Sequence, residues 1–223
     1  MKHTTSPSTL AIAAVCGLLS AGSASALTIG FTKITNNGNT DVASQLSVDV
    51  LDAGGGKVEF KFKNTGSVGS SITDIYFDDG SLLGIASVGN SAGVSFSQGA
   101  SPGDLPGGNA VDFNTSVGDF AADSDAPTSS NGVNPGETVS IFFNLIGGKT
   151  YADTLAALAL AATDPTTDIT GGLRIGLHVQ SIQPQGGSDS YVNTYGVSDN
   201  GWALALLGTG VLGLGVYRRF AVA

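Results

Sequence analysis

Apolar and polar residues alternate along the middle of this chain, and a period of two admits half-buried strands and little else. Leu46-Ser-Val48-Asp-Val50 alternates, as does Val58-Glu-Phe60-Lys-Phe62-Lys, which stops at Asn64-Thr-Gly66. Gly54-Gly55-Gly56 between the two runs predicts a hairpin. Further strands are expected over residues 72–77, 82–88, 94–96 and 173–180. The apolar run 139–146 has the length of a central strand, and 191–195 reads as a last edge strand. Strands at this spacing, with turn residues between them, predict an all-β fold, an antiparallel β-sandwich of two packed sheets. One short helix is expected over residues 151–162, an Ala/Leu stretch that would cover an end or edge of the sandwich. Residues 99–109 and 118–135 are rich in Gly, Pro, Ser and Asp and read as long loops.

The two ends differ from the middle. Lys2, the apolar stretch 10–19 and the small-x-small site Ala24-Ser25-Ala26 form a secretory signal peptide over residues 1–26, with the mature chain starting at Leu27. Cys16, the one cysteine, lies inside that signal, so the exported part has no disulfide, no thiolate nucleophile and no cysteine-based metal site. At the other end, the 16-residue, mainly apolar run from Trp202 to Tyr217 makes roughly 24 Å of helix, slightly short of a bilayer core. Trp202 and Tyr217 bracket the run as interfacial aromatics, and Arg218 and Arg219 form the basic membrane stop. A C-terminal transmembrane helix is therefore expected. Residues 27–196 remain as one exported acidic domain, large enough for a single core.

Charge narrows the partners. Residues 27–199 hold all 18 acidic residues and six basic ones, giving 6 − 18 = −12. Sixteen of the acids are Asp, which favours turns over helices. This balance argues against nucleic acid, which needs a basic footprint, and it suits solubility outside the cell and divalent cations.

Few residues announce chemistry. Asp74, Asp78 and Asp79 cluster at a strand end before Gly80 and are the candidate ligands of a Ca²⁺ ion, although no Asp-x-Asp-x-Asp-Gly loop fixes a ligand count. The competing assignment is a plain hairpin turn. Asp123 and Asp125 are weaker metal candidates. His178 is the one histidine of the exported part, and it shares a strand face with Arg174 and Gln180. No Gly-x-Ser-x-Gly elbow accompanies it, so a cross-strand structural role is expected in place of a Ser-His-Asp triad. The two glutamates, Glu59 and Glu137, sit at a strand position and in a turn, not as a glycosidase pair. Tyr76, Tyr191 and Tyr195 are candidates for a sugar-stacking face.

The motif Val197-Ser198-Asp199-Asn200-Gly201, followed by the apolar run and Arg218-Arg219, resembles the PEP-CTERM class of sorting signals, most closely its VPDSG-CTERM variant. Ser198 stands where that family has proline, and Asn200 replaces its serine or glycine. The resemblance implies recognition by a membrane-bound exosortase, which cleaves and sorts the protein to the cell exterior. The segments 60–66, 74–80, 93–96, 105–108 and 173–180 also resemble exported bacterial proteins that carry such signals, a likeness that implies no enzymatic activity. The expectation is thus a non-catalytic cell-envelope or extracellular-matrix protein, tethered to the inner membrane on its way to the cell surface. The alternatives are an extracellular polysaccharide-binding module, Ca²⁺-dependent or not, and a secreted hydrolase.

Overall fold

A computed structural model describes residues 26–37, 40–78, 83–115, 120–164 and 170–194. The strands are β1 (Leu27–Lys33), β2 (Leu46–Gly54), β3 (Lys57–Asn64), β4 (Ser71–Asp78), β5 (Ala86–Asn90), β6 (Phe96–Gln98), β7 (Ala121–Ser124), β8 (Thr138–Asn144), β9 (Arg174–Ile182) and β10 (Gly187–Thr194). The helices among the described residues are α1 (Thr128–Asn131) and α2 (Tyr151–Ala161), with two short 3-10 turns. The all-β, antiparallel expectation holds. The division into two separate sheets does not. Every strand among the described residues belongs to one antiparallel sheet in the order β5-β8-β3-β2-β1-β10-β9-β4-β7-β6.

That sheet rolls over onto itself. Phe60 of β3 meets Phe77 of β4 edge to face with ring centroids 5.0 Å apart, although β2, β1, β10 and β9 separate the two strands along the sheet. Phe143 of β8 lies 4.9 Å from Phe77 and 5.0 Å from Phe120, extending the same cluster. Each ring buried this way contributes on the order of 1.5–3 kcal/mol, and the edge-to-face contacts add to it. The alternation of β2 and β3 supplies the wall: Val48, Val50, Val58, Phe60 and Phe62 point inward and are fully buried. The two outer strands nearly meet. Asn90 of β5 donates from Nδ2 to the Phe96 carbonyl at 3.1 Å and accepts from the Phe96 amide at 2.9 Å, so one side chain stands in for a missing strand pair.

Three expectations need correction. The last strand, expected at an edge over 191–195, is not at an edge: β10 is central, between β1 and β9. The strand β1, unforeseen, creates that position by pairing Gly30 with Thr194 and Lys33 with Tyr191. Residues 118–135 are not loop throughout, because β7 and α1 form within them. Ala121-Ala-Asp-Ser124 has weak strand propensity, and pairing with β4 and β6 supplies what the local sequence lacks. Of the strand expected over 82–88, residues 83–85 are not strand and β5 starts at Ala86, while residue 82 lies outside the described residues.

Helix α2 behaves as expected. Thr150 and Asp153 form a capping box, with the Thr150 amide donating to Asp153 Oδ2 at 2.7 Å and the Asp153 amide donating to Thr150 Oγ1 at 3.3 Å. Leu158 is fully buried in the inner core, and the Tyr151 hydroxyl donates to the Val50 carbonyl at 2.9 Å. The helix thereby covers one end of the rolled sheet. Among the described residues no helix is long and apolar enough to cross a membrane. Residues 202–217, the motif 197–201, the Arg218-Arg219 stop and the cleavage residue Ala24 lie outside the described residues, while Ala26 directly precedes β1.

Candidate functional site

The two faces of β9 have different fates. Ile175, Leu177 and Val179 enter the inner core, while Arg174, Gly176 and His178 face outward. The outward face is nevertheless covered. Loop residues 99–115 fold across it and bring Leu105 and Phe113 against Tyr76 and Val192, a second, smaller apolar cluster. Gly176 permits this approach, because a Cβ there would stand 2.7 Å from Leu105 Cδ2 and 3.0 Å from Phe113.

Polar side chains fasten the loop. The Arg174 guanidinium donates to Asp78 Oδ2 at 2.5 Å, to the Val111 carbonyl at 2.7 Å and to the Asp112 carbonyl. It also lies over the Phe113 ring, 5.2 Å from the centroid. The Asn114 amide donates to Asp78 at 3.3 Å. The Tyr76 hydroxyl donates to the Pro102 carbonyl at 2.8 Å; burial, then the charges of Asp74, Asp123 and Asp104, push its pKa well up. A paired, hydrogen-bonded charge is what burial of Arg174 requires.

A second polar row crosses the sheet through β7, β4, β9 and β10. Register places Asp123 beside Asp74, Asp74 beside His178, and His178 beside Ser190. His178 Nδ1 lies 2.9 Å from Asp74 Oδ2, which also accepts from Thr73 Oγ1 at 2.9 Å. Burial, followed by the charge of Asp74 and a hydrogen bond to it, raises the Asp123 pKa above the ordinary carboxylate value. The row contains the residue types of a Ser-His-Asp triad without its contact. Ser190 Oγ is buried and, among the described residues, hydrogen-bonds to no side chain, His178 included. His178 thus bonds across the sheet, the role expected of it.

Two of the candidate calcium ligands are held apart. Asp74 and Asp78 are four residues apart on one strand face, about 13 Å at strand rise, and cannot share an ion. Each is instead engaged by a different side chain, Asp74 by His178 and Asp78 by Arg174. Asp79 lies outside the described residues, and among those described no group of three His, Cys, Asp or Glu side chains is placed to hold a metal. Asp123 and Asp125 line an open depression of about 470 Å³ together with Ser97, Ser101 and Thr128. Asp125 accepts there from Ser95 at 2.6 Å and Ser97 at 2.9 Å, bonds that hold its pKa below the ordinary value.

Two of the three tyrosines proposed as a sugar-stacking face are not available to stack. Tyr76 and Tyr191 are both fully buried, Tyr76 under the covering loop and Tyr191 in the inner core on the opposite face. Burial pushes the Tyr191 hydroxyl up to about 12. Tyr195 lies outside the described residues. Sequence reasoning did not connect Asp123 with Asp74 or Arg174 with Asp78, since the pairs are 49 and 96 residues apart and no spacing rule links them. Comparison with protein-family models, with curated proteins and with solved structures gives no match.

Proposed function

We propose that the chain is an exported, non-catalytic protein of the cell envelope or extracellular matrix, sorted by a C-terminal signal of the PEP-CTERM type. The observation that carries this reading is where the acid–base residues go. Asp78 and Arg174 are spent anchoring the 99–115 loop, and Asp74 and His178 pair beneath the sheet's outer cover. They act as fasteners of the loop and of the sheet. The start of the domain agrees with the reading: β1 begins at Leu27, directly after the small-x-small site. In this account the signal exports the chain, residues 202–217 hold it in the inner membrane, and an exosortase acts at 197–201.

Deleting residues 201–223 tests it. The truncated protein is expected in the soluble exterior fraction of its host, whereas the full chain fractionates with membranes until processed. Membrane retention of the truncated protein refutes the sorting account.

A further inference from the structure

We propose that the outer face of β3 and β8 binds an acidic polysaccharide in which charged and neutral sugars alternate; this rests on the exported, extracellular reading above. Three of the six basic residues of the exported part, Lys57, Lys61 and Lys63, share one face of β3. They are not equivalent. Lys63 bonds both carboxylate oxygens of Asp49, at 2.8 and 2.7 Å, and Asp49 also accepts from Thr28 at 2.7 Å. Lys61, the register neighbour of Asp49, is left without an ion pair among the described residues, and so is Lys57. Two uncommitted cations thus stand on a domain of strongly negative charge.

An aromatic surface adjoins them. Phe142 of β8 sits on the same outward face, half-buried, directly beside Glu59 in register. On its other side the edge strand β5 presents Ser87 and Gly89. A Cβ at Gly89 would stand 3.0 Å from Phe142 Cε2, so glycine lets the ring lie low against β5. Ser140 donates to Glu59 Oε1 at 2.6 Å and fixes an acceptor between the two lysines. A ring face, a hydroxyl and a carboxylate are what a neutral sugar needs, one for stacking and two for its hydroxyl groups.

Charge spacing selects the polymer. Lys57 and Lys61 are about 13 Å apart along the strand, with the negative Glu59 between them. Nucleic acid carries a phosphate about every 3.4 Å along a strand and would set charge over Glu59. A polysaccharide with an uncharged sugar between its uronates avoids that repulsion while meeting both lysines.

The test uses the full chain in detergent with hyaluronan, which alternates uronate and neutral sugar, as the probe. Dextran, single-stranded DNA and anionic lipid vesicles serve as comparisons. Binding to hyaluronan is expected to weaken with salt and to fall about tenfold in a Lys57→Gln/Lys61→Gln double variant. Lys149→Gln is expected to leave it unchanged, and Phe142→Ala to weaken it without altering its salt dependence. Absence of hyaluronan binding, equal binding to dextran, stronger binding to DNA or vesicles, or an unchanged double variant overturns the proposal. Those results leave the fractionation experiment untouched, so failure of the ligand and failure of the exported reading are told apart.

Discussion

Asp123 stands beside Asp74 across the β4–β7 pair, and two carboxylates in register repel unless a proton lies between them. Asp125 adds to the repulsion, while a hydrogen bond from the Ser101 backbone opposes it. The direction of the resulting pH dependence follows from linkage. The Asp123 pKa is raised in the folded state, so the unfolded chain ionises first as pH rises from its ordinary value of 3.8. Through that window the folded state holds more protons than the unfolded one, and stability falls with rising pH. Above the folded-state pKa the loss is complete. Asp123→Asn removes the repelling charge and keeps a donor for Asp74. Its melting temperature is expected to exceed that of the parent at pH 7 and to approach it near pH 4, as thermal unfolding at the two values would show. An equal difference at both values would mean that Asp123 is not the titrating group.

At the scale of the element, closure of the roll depends on little backbone. β5 and β6 are the end strands, and Asn90 joins them through both polar atoms of its amide. Asn90→Ala removes both bonds and leaves the Phe96 amide without its partner, at a cost of about 1–3 kcal/mol. Hydrogen exchange at Phe96 is expected to quicken in that variant while the amides of β2 and β3 keep their protection. The strands whose period was clean were readable in advance: 46–50, 58–63 and 173–180 all lie where alternation puts them, with the apolar set inward. Helix α2 was readable too, from Ala and Leu content. What escaped was set by distant partners. β7 is four residues of weak propensity made into a strand by its neighbours, and β10 became central because β1 came to lie beside it. Of the site residues, the pairing face of His178 was legible from period two, whereas the engagement of Asp78 by Arg174 was not. Nor was the burial of Tyr76, which depends on a loop whose composition suggested only irregularity.

For the whole molecule, the pairing of β1 with β10 joins the first and last strands of the described fold at the middle of the sheet. Every route across the sheet from the β2–β3 half to the β4–β9 half passes through this seam. A strand at the margin can be lost with modest damage, but loss of a central one exposes two ladders and opens the core between Phe60 and Phe77. Shortening the chain should therefore have an abrupt threshold. A chain ending at Thr194 retains every strand pair and is expected to unfold with the same cooperative transition as the full domain. A chain ending at Gly186 lacks β10 and leaves the inner edges of β1 and β9 unpaired, so it is expected to show neither a cooperative melt nor protected amides in β4 and β9. Circular dichroism and hydrogen exchange on the two chains distinguish the cases. The proposed processing region, 197–201, falls on the permissive side of that threshold. Cleavage there would free the domain from its anchor with the sheet intact, whereas a cut only ten residues earlier would sever the strand that joins its halves.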